Sequence, residues 1–229
     1  MVTNGGNHAQ PPAVLFSAGL DSAVLLAAAL ADGPAHPVYV QAGLAWEAQE
    51  LEAAERLLST PLYRNAAAMA TLAVDMRDVY PASHWAVRGE APGFDTPDED
   101  VYLEGRNLIL LSKAAVFMAR RVGQPAARVT LRLGPLAGNP FPDATPEFFA
   151  TLASAISLGL GSQIDIETPF AAMRKSEVIR RGCELGVPLE LTMSCMNPKD
   201  GAHCGRCSKC RERKDAFREA GVRDPTVYR

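Results

Sequence analysis

The sequence has few aromatic residues, no long apolar run and no excess of basic charge. Phenylalanine, tryptophan and tyrosine make up 7% of the 229 residues, although hydrophobic residues make up 48%. We therefore expect a core built mainly of alanine and aliphatic side chains. No stretch reaches the roughly 18 uninterrupted apolar residues of a membrane-spanning helix, which argues against an integral membrane protein. The net charge of −3 argues against a nucleic-acid partner, because proteins that coat nucleic acid usually carry a strong basic excess.

Cysteine is also scarce, and it is unevenly spread. The chain has five cysteines, and four of them lie between Cys195 and Cys210. The polar start of the chain, MVTNGGNHAQPP, lacks the basic-then-apolar pattern of a secretory signal, so we expect a cytoplasmic protein. Disulfides are disfavoured in a reducing compartment, and the crowding of cysteines therefore predicts a metal site.

Short apolar runs alternate with helix-like segments, which predicts an α/β fold with a doubly wound parallel sheet. Strands are expected at 13–16, 37–41, 71–74, 128–133 and 164–167, and helices at 23–31, 46–58, 106–121, 145–158 and 175–184. We expect one domain over 1–194 and a small metal-binding appendage over 195–229, where cysteine, glycine and basic residues become frequent. The stretch 77–103, rich in proline, glycine and acidic residues, is expected to be either a functional loop or a solvated surface excursion.

A loop of small and polar residues lies between the first predicted strand and the first predicted helix. This phosphate loop consists of Ser17, Ala18, Gly19, Leu20, Asp21 and Ser22. Backbone amides at the start of a helix attract phosphate, and small residues let a phosphate approach them closely. The two serines could donate hydroxyl hydrogen bonds, and Asp21 could hold Mg²⁺ directly or through water. The same residues could also form an ordinary strand-to-helix turn, since no Walker A Gly-Lys-Ser/Thr is present.

The letters SAGLDS resemble the SGGxDS pyrophosphate-binding loop of the PP-loop ATPase superfamily, whose members split ATP to AMP and pyrophosphate. The resemblance implies that all six residues of the loop bind ATP together with Mg²⁺. Ala18 replaces the second glycine of the motif. Its methyl group would matter if this position required a positive φ, and we expect the loop to survive the replacement.

The four clustered cysteines have a spacing that suits a metal ion. The pattern is Cys195-x8-Cys204-x2-Cys207-x2-Cys210. A Cys-x2-Cys turn lets two thiolates reach one ion, so the pattern predicts a closed structural Zn²⁺ site with four sulfur ligands. An iron–sulfur cluster is the alternative, because four thiolates also suit it. We expect the basic residues of 206–214 to offset the thiolate charge, His203 to be poorly placed as a ligand, and Cys183 to be a small core residue.

The phosphate loop and the cysteine pattern together resemble the 7-cyano-7-deazaguanine synthase (QueC or ExsB) family of PP-loop ATPases, and the likeness spans nearly the whole chain. Other segments match elements of that family. These are Gly105-Arg106-Asn107, Asn139–Asp143 with Pro146–Phe149, Thr168-Pro169 followed by Lys175, Thr192-x-Ser194-Cys195 and Asp224-Pro225-Thr226. The resemblance assigns the first domain to ATP chemistry and the appendage to zinc.

The resemblance implies an ATP-dependent ligase that converts 7-carboxy-7-deazaguanine and ammonia to the nitrile through an adenylated carboxylate. It assigns Asp21, Lys175 and Arg106 to catalysis, with Lys175 as a cation on the pyrophosphate. Asn107 and Asp143 would bind the substrate, Asp143 by accepting hydrogen bonds from a guanine-like edge. The alternatives are solvated polar groups at helix starts and, for Asp143, a turn cap. A homodimer is also implied.

The chain departs from the family where the base should bind. The family's Gln-Arg-His element is here Gln41-Ala42-Gly43, and the aspartate, tyrosine and serine of a later strip are Leu136-Ala137-Gly138. A basic, hydrogen-bonding strip has become apolar, and Trp46 beside it could stack on a base or belong to the core. Two alternatives follow. One is a sister ligase that joins the same or another acid to a different amine, on a small molecule or a protein. The other is a tRNA-modifying PP-loop enzyme, which the negative net charge disfavours.

Overall fold

The computed structural model describes residues 10–123 and 128–229, so most of the polar start lies outside the described residues. Within them, five parallel strands form one sheet in the order β3-β2-β1-β4-β5. The strands are β1 (Ala13–Leu15), β2 (His36–Gln41), β3 (Ala70–Ala73), β4 (Arg128–Arg132) and β5 (Gln163–Glu167). The chain moves outward from β1 to β3 and then crosses to the other side of β1. This order confirms the predicted doubly wound sheet, and it creates a crevice between the carboxyl ends of β1 and β4.

Helices cover both faces of the sheet. They are α1 (Leu20–Asp32), α2 (Glu47–Leu58), α3 (Trp85–Arg88), α4 (Arg106–Val122), α5 (Pro146–Leu160), α6 (Lys175–Glu184) and α7 (Ser208–Ala220). Val14 packs with α1, α2 and α6 in one apolar cluster, whereas Ala13 and Leu15 pack with α4 and α5 in another. Successive residues of a strand point to opposite faces, so the short strand β1 contributes to both layers. Along the two described ranges, no helix has the length and apolarity needed to cross a membrane.

The predicted elements differ from the observed ones mainly at the start of α1. The other nine lie within two residues of their predicted bounds, and Thr145 caps α5 as expected by accepting a hydrogen bond from the N–H of Phe148 at 3.1 Å. However, α1 begins at Leu20 rather than at residue 23. Gly19 has an extended backbone, and the hydroxyl of Ser22 donates to its carbonyl oxygen at 3.1 Å. The second half of the phosphate loop is therefore the first turn of the helix.

Residues 77–103 contact the domain at a few buried positions and are exposed at many others. The segment contains the single turn of α3 and a 3-10 turn at Asp98–Val101. Tyr80, Ala86 and Leu103 are buried, and the hydroxyl of Tyr80 donates to the carbonyl oxygen of Glu104 at 2.9 Å. The segment is therefore anchored to the domain at these residues, while many of its other positions are exposed, and its role stays a prediction.

The last segment contains a helix that the sequence pattern did not indicate. α7 packs against α6 and adds Ala216 and Phe217 to the apolar cluster that contains α1. Charged residues dominate the helix, so its narrow apolar stripe is not visible as a period in the sequence. The division of the chain at residue 194 stays a prediction.

Candidate active site and metal centre

A cleft of about 330 Å³ lies at the crevice between β1 and β4. Phe16 from the end of β1 and Gly134 after β4 line it, so it occupies the switch point of the sheet, where folds of this class bind ligands. The cleft brings together candidate residues from four separate segments. They are Ser17, Gly19, Leu20, Asp21, Ser22, Arg106, Asn107, Asp143 and Lys175. A shared cleft does not test their individual roles, which stay predictions.

Hydrogen bonds within the phosphate loop hold its two ends together. The hydroxyl of Ser22 accepts from the N–H of Ser17 at 3.3 Å and lies 3.4 Å from the hydroxyl of Ser17. No described side chain caps the first turn of α1. The first amides of a helix have no partner within it, and they carry the positive end of the helix dipole. The loop therefore presents to the cleft the kind of helix start that suits an anion.

Ala18 occupies a conformation that normally requires glycine. Its φ is +58°, in the left-handed region, and its side chain is fully buried. An L-residue in this region costs about 1–2 kcal/mol. The carbonyl oxygen of Ala18 accepts a hydrogen bond from the N–H of Met193 at 2.8 Å, which holds the loop in place. Ala18 stands where the SGGxDS motif has its second glycine, and this position does have a positive φ.

Two substitutions of Ala18 should have different effects on stability. Ala18→Gly is expected to leave the free energy of unfolding within about 1 kcal/mol, because relief of strain is offset by a lost buried methyl and a more flexible unfolded chain. Ala18→Val should lower it by about 2 kcal/mol or more, because a β-branched residue fits neither the left-handed region nor the packed site. Urea unfolding measures both, with Ala31→Val at the exposed end of α1 as the control. Equal stability of the Gly and Val variants would contradict a positive φ at residue 18.

Lys175, the first residue of α6, belongs to a chain of alternating charges in the cleft. Its Nζ lies 3.0 Å from Oδ2 of Asp21 and 2.7 Å from Oε1 of Glu212, and Oε2 of Glu212 accepts from Nζ of Lys209 at 2.8 Å. Burial alone would lower the pKa of Lys175, but the carboxylates of Asp21 and Glu212 outweigh burial and raise that pKa. Burial would raise the pKa of Glu212, but the two lysines lower it to about 2. Lys175 is therefore a paired cation beside the phosphate loop rather than a solvated lysine.

Sequence reasoning missed Lys209 and Glu212 as residues near the cleft. Both lie on α7, and the basic residues of this segment were interpreted as partners of the thiolates. The spacing of a lysine and a glutamate three residues apart is a sequence signal for a helical ion pair. It does not indicate that α7 places this pair against Lys175, since that contact joins segments 37 positions apart.

Arg106, Asn107 and Asp143 form a second polar group in the cleft. The backbone N–H of Asn107 donates to Oδ2 of Asp143, and its side-chain amide donates to the carbonyl oxygen of Asp143, both at 3.0 Å. Oδ1 of Asp143 and Nε of Arg106 are buried and have no hydrogen-bond partner among the described residues. Burial raises the pKa of Asp143. An acceptor and a donor are thus available to a small ligand, while Asn107 is engaged in holding Asp143.

Glu50 is a buried acid that the sequence gave no reason to select. It is 8% exposed on α2, lines the cleft, and accepts a hydrogen bond from the hydroxyl of Tyr39 at 2.7 Å. Burial raises the pKa of Glu50 to about 7, against the opposing effects of Arg106 and of the Tyr39 hydrogen bond. A glutamate within an acidic amphipathic helix resembles its exposed neighbours, and only the packing of α2 distinguishes it.

Glu50→Gln should become more stable relative to the native chain as the pH rises. The pKa of Glu50 is higher in the folded state than its ordinary value of 4.5. Folding therefore favours the protonated form of Glu50. The contribution of this form to the free energy of unfolding is lost as the pH rises through about 7. Between pH 5 and pH 8, the difference in unfolding free energy should change by about 2–3 kcal/mol in favour of Glu50→Gln. Urea unfolding across this range tests it, with the exposed Glu52→Gln on α2 as control; a pH-independent difference would contradict the buried acid.

Trp46, which follows the strip that departs from the family, forms an aromatic wall of the cleft together with Trp85. Trp46 is 5% exposed and stacks on Trp85, with ring centroids 5.8 Å apart. The backbone N–H groups of Ala42 and Gly43 donate to the carboxylate of Glu47 at 2.6 and 3.1 Å, so they are engaged. The cleft therefore has an indole surface on this side, and Trp46 is a buried residue that also lines the cleft.

The four cysteines of the predicted metal site converge in the structure. The sulfur atoms of Cys195, Cys204, Cys207 and Cys210 all lie within 4.8 Å of one another, and all four residues are buried. Backbone N–H groups lie against the sulfur atoms. Asn197 and Cys204 donate to the sulfur of Cys195 at 3.3 Å, and Arg206 donates to that of Cys204 at 3.4 Å. Such bonds stabilise thiolates, so the cluster has the donor set of a metal site.

The surroundings of the cluster differ from the sequence-based expectations in two respects. Arg211 donates to Asp98 at 3.2 Å and Lys214 to the carbonyl oxygen of Gly205 at 3.1 Å, so these basic residues contact other partners than the thiolates. Cys183 is exposed rather than part of the core, because the stripe of α6 that packs on α1 runs through Gly182 and ends before it.

The placement of His203 agrees with the expectation that it does not ligate the metal. Its Nε2 accepts a hydrogen bond from the N–H of Ser194 at 3.1 Å. Burial, followed by the charge of Arg213, lowers the pKa of His203 to about 4. The neutral imidazole of His203 therefore stabilises the backbone at Ser194, next to Cys195.

Comparisons with known proteins identify the family to which the chain belongs. The chain matches the family model described as queuosine biosynthesis protein QueC over residues 12–221. A 7-cyano-7-deazaguanine synthase of Solidesulfovibrio magneticus is 34% identical over 96% of this chain and 96% of its own length, and one of Syntrophobacter fumaroxidans is 32% identical over 98% of each. A solved structure titled a predicted subunit of tRNA methyltransferase, from Methanocaldococcus jannaschii, covers 83% of this chain and 93% of its own at 14% identity, with a TM-score of 0.39 that is too low to carry an argument. Because the family model and full-length relatives match almost the whole chain, this protein belongs to the QueC family and is an enzyme of the queuosine-biosynthesis type.

Proposed function

We propose that this protein makes 7-cyano-7-deazaguanine from 7-carboxy-7-deazaguanine, ammonia and ATP, through an adenylated carboxylate. The observation that supports this most is the meeting of two kinds of site in one cleft. The phosphate loop and Lys175 offer a site for a polyphosphate, and the unsatisfied atoms of Arg106 and Asp143 offer one for a small acid. A homodimer and a cytoplasmic location, which the sequence predicts, belong to the same proposal.

The reaction requires activation because a carboxylate is a poor electrophile and hydroxide is a poor leaving group. A carboxylate oxygen attacks the α-phosphorus of ATP, and pyrophosphate leaves. Ammonia attacks the acyl carbon, AMP leaves and the nitrogen loses a proton, which gives the amide. The amide oxygen then attacks the α-phosphorus of a second ATP and displaces pyrophosphate, and loss of AMP and of the two N–H protons gives the nitrile.

The phosphate side of the cleft neutralises charge. The hydroxyls of Ser17 and Ser22 and the amides of the first turn of α1 bind phosphate oxygens, and Lys175 offsets the charge on the departing pyrophosphate. Asp21 suits Mg²⁺, since its Oδ1 is buried and has no hydrogen-bond partner within the described ranges. Mg²⁺ held there would supply further charge neutralisation on the triphosphate.

The other side of the cleft orients the acid. Arg106 binds the carboxylate of the substrate through the guanidinium, whose Nε has no partner in the described part of the chain. Asn107 holds Asp143 by two hydrogen bonds, so that Oδ1 accepts a hydrogen bond from the guanine-like edge. Holding the acid in one orientation keeps its carboxylate directed at the α-phosphate.

We propose Zn²⁺ as the metal of the four-cysteine cluster. The four sulfur donors are buried and lie close together, which suits a closed tetrahedral site. An ion in such a site stabilises the fold. Metal analysis of the purified protein should give about one zinc per chain and a colourless solution. Iron with inorganic sulfide and a brown solution would establish the alternative, an iron–sulfur cluster.

One assay tests the proposed activity. Purified protein is mixed with Mg-ATP, 7-carboxy-7-deazaguanine and ammonium, and the products are followed by mass spectrometry. Nitrile formation with two AMP released per nitrile is the expected outcome. Accumulation of the amide with one AMP would restrict the activity to the first half of the reaction, and no ATP consumption with this acid would exclude it.

The aromatic wall favours a second candidate, a ligase that uses the same adenylation to join the acid to a different amine. Trp46 and Trp85 present a flat apolar surface in the cleft. Such a surface suits a larger, less polar nucleophile than ammonia. In the same assay with ammonium omitted, AMP release that depends on an added primary amine, and a product carrying its mass, would support this candidate over the synthase.

A further inference from the structure

Helix α7 joins the four-cysteine cluster to the phosphate loop. Cys207 precedes the first residue of α7 and Cys210 lies in its first turn. The same part of the helix carries Lys209, which lines the cleft, and Glu212. The cysteine segment therefore contributes charged side chains to the phosphate side of the cleft.

We propose that Glu212 is a positioning residue for the nucleotide: it holds Lys175 in place for phosphate and keeps that lysine from capturing Asp21. The inference rests on the proposed function, since it concerns how Mg-ATP reaches the phosphate loop. It also makes the cysteine segment a functional part of the nucleotide site rather than a structural appendage alone.

The geometry supports the sharing of one cation between two carboxylates. Nζ of Lys175 lies closer to Glu212, at 2.7 Å, than to Asp21, at 3.0 Å. Only 15% of its side chain is exposed, so it has little access to water as a substitute partner. Without Glu212, the lysine would pair with Asp21 alone, and a carboxylate paired in this way is a weaker ligand for a divalent cation.

Lys209 compensates the charge that Glu212 brings to an anion-binding site. Its Nζ binds Oε2 of Glu212 at 2.8 Å, while Oε1 binds Lys175. Together with Asp21, these residues make a group of two carboxylates and two ammonium groups, and their charges sum to zero. A nearby carboxylate normally repels phosphate, and this arrangement lets Glu212 hold the lysine without that penalty.

If Glu212 were only a negative charge near the site, its removal would change the affinity for Mg-ATP in the opposite direction. Removing a negative charge from the neighbourhood of a phosphate should strengthen Mg-ATP binding. Removing a positioning carboxylate should weaken it. The direction of the change in affinity therefore separates the two.

The test is the affinity of the full-length, metal-loaded protein for Mg-ATP, measured by calorimetry in the native chain and in Glu212→Gln. We expect binding to weaken about tenfold, and the Mg²⁺ concentration for half-maximal ATP binding to rise. Glu219→Gln, exposed near the end of the same helix, is the matched control and should bind as the native chain does. Zinc content should be equal in all three, which separates positioning from a loss of structure.

A double-mutant cycle identifies the route. If Glu212 acts in part by keeping Asp21 free, the loss of Mg-ATP affinity caused by Glu212→Gln should be smaller in an Asp21→Asn background. Unchanged or tighter binding by Glu212→Gln, or an equal loss in both backgrounds, would overturn this inference and leave the proposed function standing. Failure of the native protein to bind Mg-ATP at all would overturn the proposed function and the inference with it.

Discussion

Replacing Asp21 by asparagine is expected to lower turnover by about 10³-fold without unfolding the protein. The amide is neutral, so it can neither hold Mg²⁺ tightly nor balance the charges of the cleft. Lys175 keeps its contact with Glu212 at 2.7 Å, which leaves the cation paired and the fold supported. The measurement is the rate of AMP release with Mg-ATP, 7-carboxy-7-deazaguanine and ammonium.

The control for this variant lies at the other end of the same helix. Asp32→Asn changes the same side chain at an exposed position and should leave AMP release unchanged. Metal content and the urea unfolding midpoint of Asp21→Asn should stay close to those of the native protein. Turnover within tenfold of the native rate would contradict a role of Asp21 in holding Mg²⁺.

Replacing Arg213 by methionine is expected to lower the free energy of unfolding by about 3–5 kcal/mol. The guanidinium is fully buried and donates to four oxygen atoms, three within residues 189–194 and one in the tail. These are Oγ1 of Thr226 at 2.6 Å, Oγ1 of Thr192 and O of Leu189 at 2.8 Å, and Oγ of Ser194 at 3.2 Å. Methionine occupies a similar volume but leaves these acceptors without their donors in a site that excludes water.

Urea unfolding followed by circular dichroism measures this loss. Arg218→Met on the same helix is the control, because its side chain is 76% exposed and its substitution should change stability by about 0.5 kcal/mol or less. Ser194 precedes Cys195, so metal retention during unfolding should fall in parallel with Arg213→Met. A loss below about 1 kcal/mol would show that Arg213 does not clamp the tail to the domain.

Local signals predicted most of the sheet and its helices. A strand such as β1 is a short apolar run bounded by turn residues, and α5 begins with a threonine cap and a proline, so each is specified by neighbours in sequence. α7 escaped prediction because its buried side is narrow and includes cysteines and the guanidinium of Arg213. The residues on this buried side are held by the cysteine cluster and by hydrogen bonds, so they do not form a periodic pattern of hydrophobic residues in the sequence.

The residues of the candidate site also fall into those that a sequence motif indicates and those that only the tertiary structure reveals. The phosphate loop, Lys175 and the four cysteines belong to contiguous motifs, and the sequence was enough to select them. Glu50 and Glu212 belong to no motif. Their contacts with Tyr39 and Lys175 depend on how helices pack around the cleft, and a charged residue on a helix is otherwise typical of a solvated face.

By itself, the sequence determined the family, the α/β alternation, the phosphate loop and the four-thiol pattern, because each depends on residue types at short spacing. The tertiary structure alone decided that Ala18 adopts a positive φ, that Glu50 is a buried acid, and that the cysteine segment reaches the phosphate loop through α7. Backbone strain, burial and long-range ion pairs arise from packing between distant segments, and the spacing of residues along a chain carries no record of them.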